Sequence, residues 1–271
     1  MPSRIETLTA VTRIFQTSAY PQGALNPDTA WLGIYQALLW YQPVSTLPDR
    51  TGLAHIIDAN RLTGAPTKKG EPKIWQKHAI SVEGYLASQL GVGPSRVESL
   101  VDRLMLLPGY QGLQRHNILG SAFAGLVKHV LEVLGNSALS YELEVNGDQA
   151  FPGVQLPTRT GDPFIDILVR KAGRNIGIIS TKWSIRHDRI NDLTSECRAY
   201  KSAGTWTDNR IFYYVATNEF DPARTDKLIE DRCIDGVVHV HKPLVTDVCA
   251  LDGRLTSLLD LSGLIRQSMD W

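Results

Sequence analysis

The run Phe164-Ile165-Asp166-Ile167-Leu168-Val169, then Ala172-Gly173-Arg174, then Asn175-Ile176-Gly177-Ile178-Ile179-Ser180-Thr181-Lys182 predicts two β-strands joined by a tight turn. Asp166 interrupts an otherwise apolar segment, and Lys182 ends the second strand. A hairpin of this length brings a residue near the start of one strand close to a residue near the end of its partner. Asp166 and Lys182 are therefore expected to share a site.

After Lys182 the chain turns polar, and Ile190, Leu193, Cys197 and Tyr200 then recur at helical spacing, which predicts a helix over 188–203 with Glu196 projecting from it. Two carboxylates, one on a strand and one on the following helix, can jointly hold Mg²⁺, which takes hard oxygen ligands and keeps waters. An ammonium beside a phosphate can orient a water and offset charge that develops on the phosphorus oxygens. Six Lys or Arg residues (Arg170, Lys171, Arg174, Lys182, Arg186, Arg189) face only one acid, Asp188, between 170 and 189, giving the basic strip that a DNA face requires.

In this order, Asp166, Lys182 and Glu196 resemble the PD-(D/E)xK nuclease superfamily. Most of that superfamily carries an acid two residues before the lysine; here Ser180 stands there and Glu196 takes its place, with thirteen residues between Lys182 and Glu196. That exchange is similar to type II restriction endonucleases that recognise CCGG and CCNGG. Arg186-His187-Asp188-Arg189 matches the Arg-x-Asp/Glu-Arg element of the same group in place and spacing. Arginine donates two bonds to guanine O6 and N7, and an acid accepts from cytosine N4 in the major groove, so Arg186, Asp188 and Arg189 are the expected base readers.

The resemblance implies a restriction-endonuclease-like α/β core, a mixed central sheet flanked by helices. It also implies Mg²⁺ held by Asp166 and Glu196, with Lys182 and Ser180 in the catalytic centre. The implied product is a double-strand cut before the first cytosine of a palindrome, leaving a 5′ four-base overhang. A homodimer, or a higher oligomer, would take one half-site of double-stranded DNA per protomer. The superfamily's adjacent Pro-Asp pair is split here, because Phe164 and Ile165 separate Pro163 from Asp166, and Asp162 in the turn Gly161-Asp162-Pro163 is a rival ligand. A further glutamate often comes from a preceding helix; over 121–134 the buried stripe is Phe123, Leu126, Val127, Val130, Leu131 and Leu134, and Glu132 is the only acid.

Each of these residues alone has a plainer reading. A strand Asp or helix Glu is usually solvated or salt-bridged, and Asp188 at a helix start complements the helix dipole. Order and spacing together favour the nuclease. The formal net charge is zero, with 28 basic and 28 acidic residues, which excludes a generic polyanion binder. The 43% hydrophobic fraction argues against disorder, and 271 residues suffice for one large domain or two modest ones. Cys197, Cys233 and Cys249 are far apart and odd in number, so reduced thiols in a bacterial cytoplasm are expected. No apolar run predicts a membrane span.

The chain is expected to divide into a mainly helical region over 1–110 and a catalytic domain over 111–271. In the first, 31–40 and 82–90 read as helices between Pro/Gly-rich breaks, and 81–104 resembles a helix-turn-helix with Arg96 and Arg103 on its second helix. In the second, 210–216 and 236–240 read as further strands. Three alternatives follow: CCNGG specificity, another PD-(D/E)xK nuclease such as a repair enzyme, and a helix-turn-helix regulator without cleavage. His239 and His241 alternate on a strand and read as a partly exposed face rather than a metal pair. Lys68, Lys69 and Lys73 read as a solvated loop, and Trp75 and Trp183 as core aromatics or supports of a DNA-facing surface.

Overall fold

A computed structural model describes residues 26–38, 81–82, 84–86, 88–89, 115–156, 163–185, 187–206, 210–248 and 255–271, with backbone alone at 115–118, 187–188, 204–206 and 248. The elements are α1 (Ala30–Leu38), α2 (Arg115–Leu134), β1 (Leu139–Asn146), α3 (Gly147–Ala150), β2 (Phe164–Lys171), β3 (Arg174–Lys182) and α4 (His187–Trp206). Then follow β4 (Phe212–Thr217), α5 (Pro222–Ile229), β5 (Gly236–His239), a π-helical turn at Leu244–Val248, β6 (Leu259–Asp260) and α6 (Leu261–Ser268). Among the described residues, no helix is long and apolar enough to cross a membrane.

The strands form one mixed six-stranded sheet in the order β1-β2-β3-β4-β5-β6, flanked by helices. β1, β2 and β3 pair antiparallel, while β3, β4, β5 and β6 pair parallel. The predicted hairpin is present, and its turn is tighter than the sequence suggested: Ala172 (φ 49°) and Gly173 (φ 78°) are both left-handed, the geometry that matches strand twist. Parallel strands need crossover connections, and α4 and α5 supply those from β3 to β4 and from β4 to β5. Contacts place α4 on the sheet face that carries Tyr213 and α5 beside α4. The C-terminal segment covers the other face, where Trp271 stacks on Phe212 (centroids 4.1 Å) and Tyr214 (5.2 Å).

The chain separates into two compact units. One consists of Leu25–Ala30, Phe123–Lys242 and Asp252–Trp271 and holds the whole sheet. Its core is Phe123, Leu126, Val127, Val130 and Leu131 of α2, with Ile167, Leu168, Val169, Ile179, Val215 and Val237 of the strands. In the other unit, α1 buries Ile34, Tyr35 and Leu38, and Trp31 packs against Tyr35 and Tyr85 (centroids 6.1 and 6.4 Å). Val82 and Leu86 are buried four residues apart on helical backbone; residues 90–114, with Arg96 and Arg103 of the helix-turn-helix resemblance, lie outside the described residues.

Two sequence expectations are corrected. Cys197 and Cys233 are not separate thiols: they are joined by a disulfide across Cα atoms 6.1 Å apart, because the β3-α4-β4-α5-β5 crossovers bring α4 against the loop before β5. His239 and His241 are not on a partly exposed face, being 0% and 9% exposed. The His239 ring turns back on its own strand end, where the His241 amide donates to Nδ1 at 3.1 Å and Phe220 packs edge-on at 5.2 Å.

Candidate active site

The candidate site lies on one face of the sheet, along β2, the carboxyl-terminal part of β3 and the start of β4. Side chains alternate along a strand, so the register decides which of them meet. Leu168 pairs with Ile178 and Ile178 with Tyr213, which places Asp166, Ser180, Lys182 and Tyr213 on one face of the sheet. Glu196 reaches that face from α4, where Leu193, Cys197 and Tyr200 are buried beside it.

Asp166 Oδ2 accepts from Ser180 Oγ at 3.0 Å, from the Thr181 amide at 2.8 Å and from Lys182 Nζ in a close ion pair. Burial alone would lift this carboxyl; the Lys182 ammonium, its hydrogen bond and those of Thr181 and Ser180 together hold it below its ordinary value. All these bonds fall on Oδ2, so Oδ1 keeps its lone pairs for another partner.

Glu196 is 6% exposed, and its Oε2 accepts from the Tyr213 hydroxyl at 3.3 Å. Tyr213 also feels the Asp166 charge. Burial, then the neighbouring Glu196, pushes the Tyr213 phenol well above its ordinary value, so it stays a protonated donor. Each carboxylate thus takes one hydroxyl donor from this face, Ser180 on Asp166 and Tyr213 on Glu196. Tyr213 escaped the sequence analysis because it sits in the apolar run Ile211-Phe212-Tyr213-Tyr214-Val215, where one tyrosine looks like another.

Asp166, Ser180 and Lys182 are in direct contact, Glu196 lies on the same sheet face against Tyr213, and Glu132 joins neither group. Glu132 lies at the far end of α2, pairing with Lys128 one turn earlier at 2.5 Å, with its side chain 38% exposed. Glu144 on β1 stands opposite Asp166, between the pairs Leu143–Ile167 and Val145–Ile165; it is 7% exposed and left-handed at φ 50°. Among the described residues, no group of three His, Cys, Asp or Glu side chains is placed to hold a metal ion. Asp166 and Glu196 still suit a hard cation, because both present carboxylate oxygen and Asp166 Oδ1 is left available.

The expected base readers are only partly visible. Arg186 and the Asp188 side chain lie outside the described residues, as does the rival ligand Asp162. Arg189 is described, with its side chain 48% exposed and Nη1 on Asp192 at 3.0 Å. The basic strip is not one face: Arg170, Lys171 and Arg174 cluster at the hairpin turn, roughly 25 Å along the strand from Lys182 at about 3.3 Å per residue. There Arg170 pairs with Glu142 at 2.7 Å, and Lys171 donates to the Trp271 carbonyl at 2.6 Å. Trp183 packs edge-on against Phe123 at 5.2 Å and is core; Trp75, Lys68, Lys69 and Lys73 lie outside the described residues.

No family model and no curated protein matches the chain. Among solved structures it is similar to the type IIF restriction endonuclease Bse634I with cognate DNA, at 13% identity over 64% of this chain and 81% of that chain, with a TM-score of 0.31. It is also similar to metal-depleted Ecl18kI in complex with uncleaved DNA, at 15% identity over 99% of this chain and 84% of that chain, with a TM-score of 0.36.

Proposed function

We propose that the chain is a Mg²⁺-dependent type II restriction endonuclease that cuts both strands of a palindromic DNA site containing CCGG, acting as a homodimer in a bacterial cytoplasm and leaving 5′ four-base overhangs. One observation carries the reading: the Asp166 carboxylate takes Lys182 and Ser180 on one oxygen, on the sheet face where Tyr213 donates to the buried Glu196 carboxylate. A buried acid held ionised by a lysine, beside a second buried acid, is an arrangement suited to metal-assisted phosphodiester hydrolysis.

Asp166 and Glu196 would hold the Mg²⁺, which supplies Lewis acidity at the phosphate and a more acidic water. Lys182 shifts its Nζ proton donors between Asp166 and the attacked phosphate, steadying the negative charge as it builds. Ser180 keeps Asp166 oriented where other members of the superfamily carry an acid. Arg189 would exchange Asp192 for a guanine edge, an inexpensive exchange because an exposed ion pair is worth only about 0–1 kcal/mol. Arg186 and Asp188 complete the reading element by spacing.

The test is digestion of a plasmid of known sequence with purified protein, comparing Mg²⁺, EDTA and Lys182→Ala. Discrete fragment ends at CCGG palindromes that need both Mg²⁺ and Lys182 are the expected outcome. Ragged cutting would remove the roles of Arg186, Asp188 and Arg189, and absence of cutting would remove the nuclease.

A further inference from the structure

Ile185 links Trp183-Ser184 to Arg186, and both of its backbone polar groups are taken by one charged pair from a distant part of the sequence. Glu219, 2% exposed just beyond β4, accepts the Ile185 amide on Oε2 at 2.7 Å and the Asp221 amide on Oε1 at 2.8 Å. Arg224 of α5 donates Nη1 to the Ile185 carbonyl at 2.5 Å and to Glu219 Oε2 at 3.3 Å. Its Nε meets Asp221 Oδ2 at 3.2 Å. The Asn218 amide donates to the Trp183 carbonyl at 3.0 Å, so the turn after Lys182 is pinned at residues 183 and 185. The Ile185 side chain is fully buried, which fixes the turn from its apolar side as well.

A buried charge pair gives little net stability compared with well-packed apolar residues, because desolvation offsets the attraction. What it does give is direction: a planar guanidinium fork and a carboxylate accept only a narrow set of positions for the backbone between them. That backbone runs from the lysine proposed for cutting to the arginines proposed for reading.

We infer that Glu219 and Arg224 are positioning residues for sequence discrimination, holding the Trp183–Ile185 turn so that Arg186 to Arg189 meet the base edges in one register relative to Lys182. The inference rests on the endonuclease reading above. It differs from a strand-end cap in what it controls, because a cap would affect folding while a register clamp affects the preference between sites. Loosening the turn lets the arginines sample several positions, and good contacts to the right base lose their advantage over poor contacts to the wrong one.

The experiment first maps wild-type cut sites. It then measures single-turnover cutting of oligonucleotides carrying the preferred site or one base change, for wild type, Arg224→Lys and Glu219→Gln, with circular dichroism melts of each. Arg224→Lys keeps the charge beside Glu219 and loses the guanidinium that holds Ile185 through Nη1 and Asp221 through Nε. The expected result is a roughly tenfold fall in the preferred-to-altered rate ratio in both variants, with the Mg²⁺ dependence unchanged. A folded Arg224→Lys whose ratio stays within about twofold of wild type, or that slows equally on every site, would overturn the inference. Two variants that both fail to fold would overturn it too, assigning the pair to the fold. Wild-type protein without site preference would instead bring down the endonuclease reading and this inference with it, and that failure appears before any variant is made.

Discussion

The Tyr213 hydroxyl donates to Glu196 Oε2 at 3.3 Å, joining a strand residue with no exposed surface to a helix carboxylate that is 6% exposed. Glu196 therefore takes part of its orientation from a donor seventeen residues away. Tyr213→Phe keeps the ring and removes that donor. Groups that orient a metal ligand typically change metal affinity by about 10–100-fold. The expected outcome is a shift of that order in the Mg²⁺ concentration giving half-maximal cutting, with DNA binding in EDTA unchanged; an unshifted Mg²⁺ curve would separate Tyr213 from the site.

The sheet depends on Gly177. A Cβ built there falls 1.9 Å from Phe212 Cε2, and the ring has little freedom to retreat because Trp271 stacks on it at 4.1 Å. Gly177→Ala is expected to cost about 1–3 kcal/mol, as overpacking does, with part of the loss recovered in Gly177→Ala/Phe212→Leu. Urea titrations of the single and double variants measure this, and equal midpoints for wild type and Gly177→Ala would refute it.

His239 gives the protein a pH-dependent stability of predictable sign. Burial lowers its pKa to about 3, so the folded state holds the neutral ring, whereas the unfolded chain takes up a proton below its ordinary value of 6.5. The unfolded state binds more protons between those values. Stability is therefore fully present above about pH 6.5 and falls as pH drops towards 3, by at most about 1.4 kcal/mol per unit from this group. Denaturant midpoints for wild type and His239→Gln across that range should converge towards acid pH, and parallel curves would show that His239 does not titrate this way.

Cys197 and Cys233 close a loop with a sequence separation of 36. The chain-entropy relation gives such a loop about 3–4 kcal/mol of stability. Two ion pairs lie at the same junction, Arg198–Asp231 at 2.6 Å and Lys201–Asp235 at 2.6 Å. Dithiothreitol should lower the urea midpoint of wild type and leave that of Cys197→Ser/Cys233→Ser unchanged. Free thiols at both positions in a non-reducing peptide map would sink the prediction.

The hairpin and α4 were legible because their apolar residues repeat at strand and helix periods, and with them came Asp166, Ser180, Lys182 and Glu196. β1 was not, although Leu139, Tyr141, Leu143 and Val145 alternate. Its burial does not follow that alternation: Glu144 is buried while Leu143 and Val145 are only half-buried, and the left-handed backbone of Glu144 breaks the pattern. Glu219, Arg224 and the cysteine pair were invisible for another reason. They act on residues 34, 39 and 36 positions away, and only the crossover topology brings them close. The one local hint was an acid in the otherwise apolar and neutral stretch Val215-Ala216-Thr217-Asn218-Glu219-Phe220.

β3 is the strand where the antiparallel and parallel halves of the sheet meet, and this divides the site in time as well as in space. Asp166 and Lys182 lie sixteen residues apart across a two-residue turn and need only local hairpin closure. Tyr213 can reach Glu196 only after α4 has crossed over and β4 has docked in parallel, a slower kind of pairing. An intermediate that has closed the hairpin but not the crossover would carry the Asp166–Lys182 pair without Glu196 held by Tyr213.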